Sequence, residues 1–266
     1  MKIYLAPLEG ITGWIYRSAV HECFGGFDKY FVPFIRPNQM GHLSSREKKD
    51  ILPANNTGMR VVPQILTNRS EDFLRTAEKL KEYGYEEVNL NLGCPSKTVV
   101  TKRRGAGFLA EPKRLEVFLD EIFGKCSIRI SVKTRLGMEE AGEFSRLLDI
   151  YNKYPMEELI IHPRVQKDFY KTRPILKRLP RLFLRAGIQC ATMAILPPYQ
   201  MRTSWKRGFQ MRTVSWRAGA FLRTQLWQGR SAAEEEQIRR SCASFMTCCT
   251  RDIAKKCPGT GRFCTK

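Results

Sequence analysis

The chain has no C-x-x-C pair and only three histidines, His21, His42 and His162, none of them near the cysteine-rich C-terminal end. With nine cysteines, an odd number, neither a zinc site nor a disulfide framework is indicated. No apolar run approaches the roughly 20 residues of a membrane span. The start, MKIYLAPLEG, carries Pro7 and Glu9 where a signal peptide would stay apolar. A cytoplasmic protein without membrane or metal is the expectation. No G-x-G-x-x-G turn follows the first apolar segment, which disfavours an open dinucleotide-binding sheet. Acidic residues are missing altogether between 171 and 233.

That last absence divides the sequence. The formal net charge is +20, but residues 1–170 hold 26 basic and 22 acidic residues, whereas 171–266 hold 20 and 4. The basic part also contains Trp205, Trp216 and Trp227 and six of the nine cysteines, without a sustained period of 2 or 3.6. Three readings fit residues 171–266: a poorly ordered basic tail, a nucleic-acid-binding arm with interleaved aromatics, or a translation out of the coding frame. The third accounts best for the abrupt change.

Residues 1–170 alternate short apolar runs with amphipathic stretches. Strands are expected at 2–6, 29–32, 60–66, 86–92, 128–133 and 158–162. Helices are expected over TGWIYRSAVHEC, over SEDFLRTAEKLKEYG with Ser70 as N-cap and Gly84 as stop, over EPKRLEVFLDEIFG and over EEAGEFSRLLDIYNKY. Strand then helix, repeated, implies a parallel sheet with helical crossovers. A beat of roughly 27 residues fits an α/β fold of the (β/α)8 TIM-barrel class. Six strands are legible; a seventh and an eighth are not, so the barrel is either incomplete after strand six or hidden there.

In such a fold the polar residues at strand C-terminal ends converge on one face. They are Pro7 to Glu9, Gln64, Asn91 with Cys94, Lys133 with Arg135, and His162 with Arg164. Cys94 lies between Gly93 and Pro95, just beyond a strand in which Val88, Leu90 and Leu92 alternate with polar residues. A thiol of pKa about 8.5 is mostly protonated near neutral pH and can serve as a general acid without special tuning. A nucleophilic cysteine would need an activating base or cation.

The segments APLEGITGWIYR, VVPQILTN, NLNLGCPSKTVVTKRRGAGFLAEP, SVKTRLG and IIHPRVQKDFYK resemble, in order, the tRNA-dihydrouridine synthase family. The resemblance covers residues 1–170 and implies an FMN-dependent oxidoreductase that reduces uridine to 5,6-dihydrouridine in tRNA, with NADPH or NADH as reductant; a monomer is expected. It implies that Pro7, Leu8 and Glu9 lie along the isoalloxazine, that Gln64 and Lys133 address its pyrimidine edge, and that His162 lies nearby. Asn91 and Arg164 would face the uracil and Cys94 would donate the proton. Lys97, Lys102, Arg103 and Arg104, just after the cysteine turn, read either as contacts to tRNA phosphates or as a merely solvated charged loop. The family's phosphate-binding Asn-Gly-Asp and Gly-Arg segments and its C-terminal helical domain have no legible counterpart after residue 171. Another FMN barrel acting on a small pyrimidine, and a non-catalytic RNA-binding or non-functional homologue, remain alternatives.

Overall fold

A computed structural model of the chain describes residues 4–24, 27–38, 41–169 and 185–193, with residues 2, 172, 175, 213 and 214 besides. The strands are β1 (Tyr4–Leu5), β2 (Lys29–Phe31), β3 (Val61–Val62), β4 (Gln64–Ile65), β5 (Glu87–Leu92), β6 (Arg129–Arg135), β7 (Leu159–His162), β8 (Cys190–Met193) and β9 (Thr213–Val214). The helices are α1 (Trp14–Phe24), α2 (Ser45–Ile51), α3 (Ser70–Glu82), α4 (Lys97–Val100), α5 (Pro112–Lys125) and α6 (Phe144–Tyr151).

Every strand pairing is parallel, in the orders β1-β2-β3 and β4-β5-β6-β7-β8-β9. One expected strand, 60–66, becomes β3 and β4 because Pro63 has no N–H to give the ladder. The two pieces still belong to one course, since Ile35 bridges to Ile65 beyond the β2–β3 pairing. The strands not legible in the sequence appear as β8, which pairs with β7, and β9, which pairs with β8. Cα atoms of β9 come within 8 Å of those of β1, so the arc returns toward its start. The sheet thus runs past residue 170. The basic segment read as a tail, an arm or an out-of-frame translation otherwise lies almost wholly outside the described residues.

Two apolar clusters explain why this sequence wraps. The larger joins the outward residues of the strands, including Val88, Leu90, Leu92, Ile130, Val132, Leu159 and Ile161, to the inner faces of the helices. Helix α5 supplies Leu115, Phe118, Leu119 and Ile122, one stripe at helical spacing, behind a proline at its start where the missing N–H costs nothing. Each such side chain removed from water contributes about 1.5–3 kcal/mol. The smaller cluster lies on the other side of the sheet. It brings Tyr4 of β1 and Phe31 of β2 against Ile160 of β7 and Ala191 of β8, contacts that a flat sheet could not make. Polar groups cross the same interior. Lys29 Nζ of β2 sits 2.8 Å from Glu87 of β5 and 3.6 Å from Glu158, which also accepts from the Tyr4 hydroxyl.

Helix ends differ from expectation in two places. Ser70 is the first residue of α3 and not its N-cap; its hydroxyl donates to Glu121 of α5, tying the two helices together. Helix α2 was not anticipated, although Ser44 and Glu47 form the S-x-x-E capping box that announces it. Gly84, at φ +88°, does end α3 as expected.

Lys29 is buried with its two carboxylates. Lys29→Met should therefore destabilise the fold by about 3–5 kcal/mol, read as a lower urea midpoint with an unchanged slope. An unchanged midpoint would show that the buried pair does not hold β2 to β5 and β7.

Candidate active site

Because the strands are parallel, Gln64, Asn91, Lys133, Arg135 and His162 all stand at or near C-terminal strand ends, in adjacent register: Asn91 opposite Lys133, and Arg135 opposite His162. All five side chains are buried. A directed hydrogen-bond chain runs across the sheet. Asn91 Nδ2 donates to Gln64 Oε1 at 2.7 Å, Gln64 Nε2 donates to Asn89 Oδ1 at 2.7 Å, and Asn89 Nδ2 donates to Ser131 Oγ at 3.0 Å. Each amide has its orientation set by the next.

The remaining end of Asn91 builds the cysteine turn. Its Oδ1 accepts from the backbone N–H groups of Gly93, at 3.0 Å, and Cys94, at 2.9 Å. The turn is closed from below by the Gly-Ala-Gly segment. Ala106 N donates to Cys94 O at 3.1 Å. A Cβ on Gly105, whose φ is +54°, would come within 2.9 Å of that same carbonyl, and one on Gly107 within 2.7 Å of Val100 O. The Cys94 side chain is left half-buried. Burial pushes its thiol above the ordinary value of 9.0, more than the Ser96 N–H and the nearby Lys133 and Arg135 lower it. The group is a protonated thiol at neutral pH.

Lys133 has the opposite displacement. Burial, helped by Arg135, lowers its ammonium from 10.5 to about 7, and it makes no ion pair among the described residues. His162 is held neutral by burial and by Arg135, Lys133 and Arg164. Arg164 Nη1 lies 2.6 Å from His162 Nε2. Since a guanidinium can only donate, Nε2 is the acceptor and the imidazole proton sits on Nδ1. Arg164 Nε donates to Thr172 O at 2.9 Å.

The other expected residues lie at the rim. Pro7 and Leu8 are half-buried, Leu8 against the interior cluster, while Glu9 is exposed in an ion pair with Arg36. Lys97, Lys102 and Arg103 are exposed and Arg104 half-buried. Asn68 Nδ2 donates to Lys102 O and Arg103 O, at 3.1 and 3.0 Å, and Arg103 adopts φ +52°. Arg103 also pairs with Glu111 at 3.7 Å. Residues outside the sequence-derived set are Asn89, Ser131, Arg36, Asn68 and Gln166. Asn89 could have been found by the period of 2 that puts it on the face of Asn91; the loop residues carry no such signal.

A parallel α/β fold of the TIM-barrel class, with a cysteine turn and buried cations at the strand ends, defines the type of protein. The model of the dihydrouridine synthase family matches residues 4–177. The chain belongs to that family. It is 25% identical over 179 residues to the probable tRNA-dihydrouridine synthase 2 of Bacillus subtilis (strain 168), covering 67% of this chain and 54% of that protein. It is 28% identical over 169 residues to the probable tRNA-dihydrouridine synthase of Staphylococcus aureus (strain COL), covering 63% and 51%. The chain thus spans about half the length of the curated relatives it matches. The fold is similar to that of the old yellow enzyme homologue from Zymomonas mobilis, with a TM-score of 0.52, 9% identity, and 81% of this chain and 84% of that one covered. Among the described residues no helix is long and apolar enough to cross a membrane, and no group of three or more His, Cys, Asp or Glu could hold a metal ion.

Lys133 gives a pH test. With its pKa lowered to about 7 in the fold, the folded state resists protonation that the unfolded chain accepts up to about 10.4. Stability should rise with pH across that window. Lys133→Met should be more stable than wild type at pH 6 by a few kcal/mol, with the advantage fading by pH 10. Equal unfolding curves at both pH values would contradict a strained, unpaired ammonium.

Proposed function

We propose that this face reduces uridine in tRNA to 5,6-dihydrouridine, with Cys94 giving the proton to C5 of the uracil. The observation that carries the proposal is the Cys94 thiol, kept protonated by burial and fixed by Asn91 beside the buried Lys133. The resident cofactor of this reading is FMN. The buried residues fit it: an ammonium without a carboxylate partner among the described residues suits the anionic pyrimidine edge of a reduced flavin, and Gln64 keeps one amide hydrogen beyond its bond to Asn89. When bound, FMN supplies the hydride taken by uracil C6, after reduction by NADPH or NADH.

The chain's own residues divide the remaining tasks. Lys133 and Gln64 would hold the flavin edge, with His162 near it, and Pro7, Leu8 and Glu9, just after β1, would bound the ring. Asn91 has a second amide hydrogen for a uracil carbonyl, and Arg164 stands next to His162 to address the same base. Negative charge that builds on the pyrimidine as hydride arrives is met by the cations at the strand ends and quenched by the Cys94 proton. Uracil must leave its stack to reach this depth, and a pocket that reads its edge offsets the unstacking cost. Lys97, Lys102 and Arg103 contribute salt-sensitive, sequence-independent affinity for phosphates.

Reconstitution with FMN and tRNA provides the test. Cys94→Ala should keep the bound flavin and its reduction by NADPH but lower uridine reduction at least about 100-fold; wild-type turnover would remove Cys94 from the role. Replacing Lys97, Lys102 and Arg103 together by Ala should weaken tRNA binding and lessen its salt slope by about 2–3, whereas an unchanged slope would place the phosphate contacts elsewhere.

A further inference from the structure

From Gly93 to Pro95 every backbone polar group has a partner. The Gly93 and Cys94 N–H groups go to Asn91 Oδ1, the Cys94 carbonyl accepts from Ala106 N, and Pro95 has no N–H. The two carbonyls that flank Cys94 are held from the neighbouring strand ends. Arg135 Nε donates to Gly93 O at 2.8 Å, while its Nη1 donates to Val165 O and Phe169 O at 3.0 and 2.9 Å. Gln166 Nε2 donates to Pro95 O at 3.1 Å.

Gln166 is itself firmly based. Its N–H donates to Gly137 O at 2.9 Å, and the preceding Val165 N–H donates to Asp168 Oδ2 at 3.2 Å. The loop after β7 is thereby stapled to the cysteine turn on both sides of the thiol, by Arg135 before it and Gln166 after it. We propose that Gln166 is a positioning residue for proton delivery: through the Pro95 carbonyl it fixes the exit of the turn and thus where the Cys94 sulfur points. The proposal rests on the reading of Cys94 as the proton donor. Losing one partner of the buried Pro95 carbonyl is a local change, but a displaced donor loses the near-attack geometry on which transfer depends, where about 1 Å can cost 100-fold.

Gln166→Met keeps the length of the side chain and removes the donor. Alkylation of each cysteine by iodoacetamide, read by mass spectrometry on the full chain, should show Cys94 reacting several-fold faster in the variant while half-buried Cys126 is unchanged. The pre-reduced FMN-loaded variant should reduce tRNA uridine about tenfold more slowly, with its flavin reduced by NADPH at the wild-type rate. Gln166→Lys, which restores a donor, should return Cys94 alkylation toward the wild-type rate. Cys94 alkylation unchanged in Gln166→Met, or Cys94 and Cys126 rising together as in a general loosening, would overturn the proposal. Wild-type turnover by Cys94→Ala would instead remove the proton-donor reading, and the alkylation comparison would still report by itself whether Gln166 holds the turn.

Discussion

The site depends on one buried carboxamide. Asn91 is the last inward-facing residue of β5, and its Oδ1 takes the two N–H groups that the chain presents as it leaves the strand. Without that acceptor two buried donors would be unsatisfied, each costing about 1–3 kcal/mol, and the chain would have no reason to turn at Gly93. Its Nδ2 simultaneously anchors Gln64, so the strand that carries the thiol and the strand beside it are set by the same side chain. The glycines at 105 and 107 follow as a consequence. The segment beneath approaches so closely that a Cβ on Gly105 would collide with the Cys94 carbonyl of the turn, and one on Gly107 with the Val100 backbone of α4.

Charge is distributed along the strands to match. At their N-terminal ends the interior cation Lys29 is matched by Glu87 and Glu158. At their C-terminal ends Lys133, Arg135 and Arg164 gather around a neutral imidazole, and Lys133 has no carboxylate partner among the described residues. The lower end serves the fold. The upper end lowers stability, and on the proposed function it supplies a positive field where a negative charge would develop, the usual compromise at a functional site. The thiol fits the same logic, since a surrounding that disfavours its anion makes it an acid and not a nucleophile.

Much of this was legible in the sequence because it is periodic. Alternation in EEVNLNL and IRISVK marked β5 and β6 and the residues that share a face; strand-then-helix recurrence gave the parallel sheet; and the Gly-Cys-Pro-Ser turn with its Gly-Ala-Gly gave the family. What stayed hidden depends on contacts distant in sequence or on exceptions to propensity. The Pro63 interruption splits a strand without ending its course. Ser70 looks like an N-cap and is instead used by Glu121 of another helix. Strand β8 follows residues with no regular pattern, and its place is set by pairing to β7. Arg135 and Gln166 act on carbonyls, which no side-chain motif records.

The central claim is that a half-buried, neutral thiol at Cys94 protonates the reduced pyrimidine. It is tested most directly by the rate at which the pre-reduced, FMN-loaded chain is reoxidised by tRNA, followed across pH. With the thiol held above its ordinary value of 9.0, the account predicts a rate that persists to about that pH and falls only beyond it, with the fall missing from the slow residual rate of Cys94→Ala. A wild-type rate that already fell below that pH through a limb missing from Cys94→Ala, or the same falling limb in Cys94→Ala, would contradict it.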